Sequence, residues 1–218
     1  MARPGERGRA SEVIDGEREA DWIQRGVADT VGPDVLGEDT ALTLDIGGGS
    51  VETVLWDRQA IHGRFSLDLG VARLTDWIKP SDPLKAKDLD SLARIADQAL
   101  APLLALASDH PPRVLVGTSG AFNTLAALES PEANWNPRNI ADVLPYPTLR
   151  SRCRALRATS KADLATIPNL HPDRIPYMSI ACALIEHLPH KARLVFLSTD
   201  QVYDCLLYTS DAADDRDS

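Results

Sequence analysis

Asp45 and Glu52 stand at symmetric positions on either side of three glycines and a serine. The segment between them, which we call the glycine loop, consists of Gly47, Gly48, Gly49 and Ser50. If this loop closes a hairpin, Asp45 lies opposite Glu52, and directly opposed residues of an antiparallel pair share one face of the sheet. Two adjacent carboxylates repel each other unless a cation lies between them, and such oxygen ligands suit Mg²⁺. The spacing therefore predicts a magnesium site at Asp45 and Glu52.

The glycine loop has the composition of an anion site, because glycines let the backbone approach a ligand and aim N–H groups at it. A metal beside a phosphate cradle is the basic equipment of phosphoryl transfer. A glycine-rich turn with two solvent-facing acids is the structural alternative, and the loop alone leaves it open. The chain has no Walker A lysine and no Gly-x-Gly-x-x-Gly, which argues against P-loop and Rossmann proteins.

Backbone strain in this loop is a further expectation. We expect at least one of the three glycines to have a positive φ, where a Cβ costs of order 1 kcal/mol or more. On this reasoning Gly48→Ala should weaken phosphate binding more than it lowers stability.

A second turn of similar composition follows a short apolar run at residues 113–116. This turn consists of Gly117, Thr118, Ser119 and Gly120. A buried strand that leads through such a turn into a helix N-terminus forms an anion site. Ser and Thr are also ordinary helix N-caps, so the second turn by itself is a weak signal. Two phosphate-type loops on one α/β scaffold are what an actin-like nucleotide- or phosphate-binding fold supplies.

Hydrophobic periodicity predicts the elements that would position these loops. Strands are expected at residues 40–46, 51–56, 63–69, 113–116 and 194–197. Helices are expected from residue 11 to Gly32-Pro33 and at residues 88–107, 121–128, 148–158 and 177–188, with a proline-rich connection at 130–147. Pro102 should kink the longest of these helices. Strands first, then strand and helix in alternation, predict an α/β protein with a mixed sheet flanked by helices.

Composition narrows the class of protein. The 218 residues carry a net charge of −9, which argues against general binding of nucleic acid. No apolar run approaches the ~20 residues that span a bilayer, and the N-terminus lacks a hydrophobic signal core, so we expect a cytoplasmic protein without a membrane partner. The 3 cysteines and 5 histidines show no metal-ligand spacing. Four arginines in one helical stretch are either a solvated face or a strip that guides a polyanion: Arg150, Arg152, Arg154 and Arg157.

The sequence resembles the exopolyphosphatase / guanosine pentaphosphate phosphohydrolase family of the actin-like ATPase superfamily. The resemblance rests, in order, on residues 12–20, 44–52, 66–74, 80–83, 117–125, 172–176 and 197–199. Within residues 12–20, Asp15 replaces the family's usual Ser and Arg18 a usual Glu. The resemblance implies a frayed N-terminus at residues 1–10, a second actin-like domain of the family at 11–199, and a disordered or non-native tail at 200–218.

The implied reaction is the release of terminal phosphate from inorganic polyphosphate, or from guanosine pentaphosphate in the stringent response, by metal-assisted attack of water. The resemblance implies Mg²⁺ at Asp45 and Glu52, phosphate on the glycine loop, and the second turn along the cleft wall. Arg174 is implied as a further phosphate contact, with a surface ion pair as the alternative.

No catalytic residue is assigned within the chain, because the resemblance places the water-activating glutamate on a first domain upstream of this segment. We therefore expect the isolated chain to have negligible phosphatase activity. A kinase or ATPase of the same superfamily, and a regulatory remnant that binds phosphate without turnover, remain alternatives. A homodimer is one expected state, and the sequence leaves the oligomeric state open.

Overall fold

The computed structural model describes residues 26–27, 37–129, 142–168, 170–188 and 193–196. Within them, strands form one mixed sheet in the order β3-β2-β1-β4-β6-β5. The strands are β1 (Ala41–Ile46), β2 (Val51–Trp56), β3 (Ile61–Leu67), β4 (Val114–Thr118), β5 (Asp142–Leu144) and β6 (Arg193–Phe196). The pairs β1–β4 and β4–β6 are parallel, and the other three pairs are antiparallel. The predicted α/β class is confirmed.

Helices follow the strands and pack on the sheet. They are α1 (Val71–Ile78), α2 (Ala86–Asp109), α3 (Ser119–Glu129), α4 (Tyr146–Arg157), α5 (Lys161–Leu164) and α6 (Ile175–His187), with a 3₁₀ turn at Pro172–Arg174. Apolar residues from all six helices join one core cluster with β1 and β2. None of the described helices is both long and apolar enough to cross a membrane.

The two faces of β1 carry different kinds of side chain. Successive side chains of a strand point to opposite faces. Leu42, Leu44 and Ile46 belong to the core cluster beneath the helices. Thr43 and Asp45 lie on the other face, and both are also buried. The chain therefore places a carboxylate on a sheet face that is shielded from water and separate from the main core.

Most predicted elements are present with bounds shifted by one or two residues, and β2 has the predicted bounds. The third strand begins and ends two residues earlier than predicted, at Ile61–Leu67. The long helix α2 continues through Pro102, and the kink there stays a prediction.

The prediction missed α1, α5 and β5. Of these, β5 has only three residues and lies within the stretch predicted as a connection, where flanking prolines mask a strand signal. The predictions for residues 1–10, 130–141 and 200–218 lie outside the described residues, as does most of the first helix. Of that helix only Gly26 and Val27 are described, and both are helical.

Candidate functional site: a carboxylate pair beside a glycine loop

The carboxylate pair is formed by the hairpin of β1 and β2. Asp45 is the cross-strand partner of Glu52, and Ile46 that of Val51, so the predicted register is confirmed. Directly paired residues share a face of the sheet. Both carboxylic residues are buried, Asp45 with 4% and Glu52 with 3% of its surface exposed. Two acids are thus held side by side away from bulk water.

Hydroxyl groups on the two outer neighbouring strands hold these carboxylates. Thr118 Oγ1 on β4 donates to Asp45 Oδ2 at 2.7 Å, and Ser66 Oγ on β3 donates to Glu52 Oε1 at 3.0 Å. The register places Ser66 beside Glu52 and Thr118 beside Asp45, so the four residues form one polar row across four strands. Ser66 is exposed, so the row reaches the surface at β3. Sequence reasoning missed Ser66 as a member of the site and gave Thr118 a different partner.

The donor set fits a hard divalent cation. Every side chain of the row offers oxygen, and each hydroxyl holds one oxygen of its carboxylate by donating a hydrogen bond to it. No group of three or more His, Cys, Asp or Glu within the described residues could hold a metal ion. Mg²⁺ is commonly bound by only one or two carboxylates, with water and substrate phosphate completing its shell. The pair therefore suits Mg²⁺ and does not suit a closed, all-protein metal site.

The glycine loop is docked on the N-terminus of α1 through its carbonyl groups. Val71 N donates to Gly47 O at 3.0 Å, and Ala72 N donates to Gly48 O at 3.0 Å. Arg73 contributes twice: its backbone N donates to Gly48 O at 3.2 Å, and its side-chain Nε donates to Gly49 O at 2.7 Å. Three successive carbonyl groups of the loop thus point toward α1.

The orientation of these carbonyls fixes the orientation of the N–H groups. In a trans peptide the C=O and the following N–H point in opposite directions. The N–H groups of Gly48, Gly49 and Ser50 therefore point away from α1, and none of the described backbone hydrogen bonds uses them. Val71 and Leu74 of α1 belong to the core cluster, whereas Asp45 lies on the opposite face of β1.

The expected positive φ in the glycine loop is wrong. Among the described glycines only Gly37 has a positive φ, so the loop glycines are not required by backbone strain. The close approach lies instead at Gly70, the residue before α1, where a Cβ would overlap the backbone of Gly48 and Gly49. At Gly48 itself, the nearest atom to a Cβ would be the Cβ of Ala72 at 3.9 Å, an ordinary contact.

The second turn ties β4 to the end of β1. Ser119 has a φ of 76° and is 7% exposed. Its Oγ accepts from Ile46 N at 3.2 Å and lies 3.1 Å from Ile46 O, to which it donates. Gly117 pairs with Leu44 within the sheet, and a Cβ there would overlap the ring of Phe122. The structure therefore places Gly117 in core packing and the Ser119 hydroxyl on the strand that enters the glycine loop.

Arg174 lies on the start of α3. A Cβ at Gly120 would overlap its guanidinium group, so the arginine covers the first turn of that helix. The neighbouring Asp173 carboxylate lies 3.5 Å from His171 Nδ1. Within the described residues, Arg174 makes no ion pair, and its role as a phosphate contact stays a prediction. The positive charge thus stands at a helix N-terminus, where anions are favoured.

The basic run on α4 has a different surrounding. Arg154 Nε lies 2.9 Å and Arg150 Nε 4.0 Å from Glu186 Oε1 on α6, and Arg157 pairs with the other carboxylate oxygen. Three of the four arginines thus surround one carboxylate and fasten α4 to α6.

A mixed sheet with a glycine loop after its first strand and carboxylates on the facing strands defines an α/β domain of the actin-like ATPase type. The fold is similar to the crystal structure of an exopolyphosphatase from Cytophaga hutchinsonii, with a TM-score of 0.78 and 28% identity, covering 90% of this chain and 65% of that one. It is also similar to a Ppx/GppA phosphatase of Aquifex aeolicus (type II variant), with a TM-score of 0.74 and 20% identity, covering 90% of this chain and 64% of that one. That second likeness concerns the fold alone.

The model of the Ppx/GppA phosphatase family matches residues 5–199, and the chain belongs to this family. Exopolyphosphatase 2 of Mycobacterium tuberculosis is 28% identical over 187 residues, which cover 85% of this chain and 57% of that protein. The guanosine-5'-triphosphate,3'-diphosphate pyrophosphatase of Vibrio campbellii is 34% identical over 121 residues, covering 56% of this chain and 24% of that enzyme. The resemblance found in the sequence is confirmed. The chain spans little more than half the length of the first of these curated relatives.

Proposed function

We propose that this chain is a phosphoanhydride-hydrolysing domain whose parent protein releases terminal phosphate from inorganic polyphosphate or guanosine pentaphosphate. The observation that carries the proposal is the glycine loop itself, whose carbonyls are held by α1 and which joins the two strands that carry the buried pair Asp45 and Glu52. Oriented N–H groups bind a phosphate group, and adjacent carboxylates hold the cation that accompanies it. Relatives named exopolyphosphatase and guanosine pyrophosphatase support the same class of reaction.

In this proposal the protein's own groups bind and orient the substrate. The N–H groups of Gly48, Gly49 and Ser50 donate to the non-bridging oxygens of a phosphate group. Because α1 already holds the loop carbonyls, these donors need no reorganisation when the substrate binds or when charge develops on it. Arg174, at the N-terminus of α3, donates to a neighbouring phosphate group or to the leaving group.

The hydroxyls of Thr118 and Ser66 orient the carboxylates rather than the substrate. Each hydroxyl fixes one carboxylate oxygen, so that Asp45 and Glu52 present a defined set of oxygen ligands. Mg²⁺ held by this pair would neutralise negative charge on the phosphate oxygens and orient the phosphoanhydride for in-line attack by water. Removal of either hydroxyl should therefore weaken metal binding without changing the charge of the site.

The decisive experiment measures phosphate release by ³¹P NMR from polyphosphate, guanosine pentaphosphate and ATP in the presence of Mg²⁺. The full-length parent and the 218-residue chain are compared, because we propose that the parent's additional domain completes the cleft and that the chain alone is inactive. Release of terminal phosphate from polyphosphate or guanosine pentaphosphate, with little turnover of ATP, is expected for the parent.

A matched pair of variants assigns the activity to the site. Glu52→Gln removes one charge of the buried pair, whereas Glu38→Gln removes one from a glutamate whose side chain is 88% exposed. We expect Glu52→Gln to lose phosphate release and Glu38→Gln to keep it. Preferential hydrolysis of ATP would favour a kinase or ATPase, and polyphosphate binding without release by the parent would favour a regulatory protein. Either result would contradict the proposal.

A further inference from the structure

The side chain of Arg73 touches the glycine loop from outside the proposed phosphate site. Its Nε donates to Gly49 O at 2.7 Å, and its Nη2 lies 3.4 Å from Asp68 Oδ1. Its Cζ lies 5.6 Å from the ring centroid of Trp77, one helical turn further along α1. The guanidinium is thus in contact with the loop carbonyl, a carboxylate and an aromatic face at once.

These contacts hold one particular peptide group. Gly49 O belongs to the same peptide as the N–H of Ser50, and the two point in opposite directions. The first two carbonyls of the loop are held by backbone N–H groups of α1, whereas the third is held by the Arg73 side chain alone among the hydrogen bonds of the described residues. The direction of the Ser50 N–H therefore depends on Arg73.

Trp77 and Asp68 have a supporting task. Trp77 is 54% exposed, so part of its ring lies outside the core and is available for a contact. Arg73 supplies that contact, because a guanidinium over an indole face is attracted by the ring. The Asp68 carboxylate holds the far side of the guanidinium and offsets its charge.

We infer that Arg73 is a positioning residue, braced by Trp77 and Asp68, which aims the Ser50 N–H at a phosphate group bound on the glycine loop. The inference rests on the proposed function for its ligand. It adds a residue that acts through the backbone of the loop. Arg73 fixes the geometry of the loop through the hydrogen bond from its Nε–H to Gly49 O. A side chain with the same charge but without this N–H group would not replace it.

The test combines loop geometry with phosphate affinity. Arg73→Ala is compared with Arg58→Ala, since both side chains are similarly exposed (40% and 49%) and both make an ion pair at 3.4 Å, but Arg58 contacts Glu38 instead of the loop. Amide hydrogen exchange is followed at Gly47, whose N–H is bonded to Ser50 O at 3.0 Å and closes the loop. Binding of pyrophosphate and Mg²⁺ is measured by calorimetry on the same proteins.

We expect Arg73→Ala to speed exchange at Gly47 and to weaken pyrophosphate binding about tenfold, the effect of losing one charge-assisted hydrogen bond. Trp77→Ala should weaken binding about two- to fivefold, because it removes the brace and leaves the hydrogen bond. Arg73→Lys keeps the charge but lacks the planar Nε–H, so we expect it to restore binding only in part. Arg58→Ala should match the wild type in both measurements.

The two proposals fail in different ways. Wild-type protein that binds no pyrophosphate would contradict the proposed function. Amide exchange at Gly47 would still show whether Arg73 holds the glycine loop in place. Unchanged amide exchange at Gly47 in Arg73→Ala would show that Arg73 does not hold the loop, whatever the pyrophosphate affinity of the variant. Faster exchange with unchanged affinity would overturn the positioning role, and full recovery of binding in Arg73→Lys would show that Arg73 acts by charge alone.

Discussion

The docking of the glycine loop on α1 predicts opposite outcomes for two glycine-to-alanine changes only 22 positions apart. Gly70 is buried, and a Cβ there would overlap the backbone of Gly48 and Gly49, well inside the 3.4–4 Å of ordinary contact. The loop must therefore move by about 1 Å, and overpacking of this kind costs about 1–3 kcal/mol. The movement also strains the hydrogen bonds from Val71 and Ala72, each worth about 1 kcal/mol.

The expected total is about 2–4 kcal/mol of unfolding free energy for Gly70→Ala. In a protein of this size each kcal/mol lowers the melting temperature by about 2–4 °C, so the expected decrease is about 4–16 °C. Gly48→Ala is the matched control, because its Cβ would meet only the Cβ of Ala72 at 3.9 Å and its φ is not positive. Alanine there restricts the unfolded chain, so the stability should be unchanged or higher by about 0.4–1 kcal/mol.

Thermal unfolding followed by circular dichroism measures the difference, and pyrophosphate calorimetry shows its effect on the loop. In Gly70→Ala both the stability and the pyrophosphate affinity should fall, because the carbonyls of the loop no longer reach α1. Gly48→Ala should keep both, because its Cβ would meet Ala72 at 3.9 Å and the backbone there has no positive φ. This replaces the expectation from the sequence that Gly48→Ala weakens phosphate binding, which depended on a positive φ. If Gly70→Ala has the same melting temperature as the wild type, the glycine loop is not docked on α1 as described. If Gly48→Ala melts lower than Gly70→Ala, strain within the loop governs its shape.

Three further predictions concern single side chains. Glu52→Gln keeps an oxygen that accepts from Ser66 Oγ but loses a charge. The melting temperature should therefore be unchanged, while the Mg²⁺ affinity measured by calorimetric titration falls at least about tenfold. A lower melting temperature with unchanged Mg²⁺ affinity would show that Glu52 is a structural residue. Two backbone N–H groups of its own turn, with a neighbouring histidine, lower the pKa of Asp57 from 3.8 to about 2. Because the folded pKa is the lower one, Asp57 stabilises the fold above about pH 4 and this contribution disappears toward pH 2; Asp57→Asn should flatten the melting temperature across that window, and an unchanged slope would contradict the assignment. A hydrogen bond with Cys153 and burial raise the pKa of the Cys182 thiol, and Cys153 is buried beside it. Cys153 and Cys182 should therefore resist iodoacetamide in the native protein and react after unfolding, as measured by peptide mass spectrometry.

The register of the first hairpin could be predicted because it depends on local information. A four-residue glycine loop flanked by apolar strands of matching length closes in one way, and a shift by one residue would move the strands' apolar side chains to the wrong face. The pairing of Asp45 with Glu52 follows from that closure. The docking of the loop on α1 could not be predicted in the same way. It depends on the approach of Gly70 to Gly48, a tertiary contact that no local pattern reveals.

Ser66 was missed for a related reason. Its partnership with Glu52 is set by the pairing of β2 with β3, and that pairing shifts register between Leu55 and Trp56. A bulge adds one residue to one strand, so counting outward from the turn assigns the wrong face to everything beyond it. The sequence could therefore place a strand at β3 without identifying which of its side chains faces the carboxylates.

The second turn shows that residue type does not reveal which contacts a side chain makes within the fold. Thr118 and Ser119 are adjacent hydroxyl residues, and both were predicted to bind phosphate. Thr118 is still in the strand, so its side chain faces Asp45, whereas the positive φ of Ser119 turns its hydroxyl onto the backbone of Ile46. One hydroxyl therefore orients a carboxylate and the other anchors the strand that enters the glycine loop. The positive charge on this side of the proposed site comes instead from Arg174, which the fold brings onto Gly120 from a distant part of the chain.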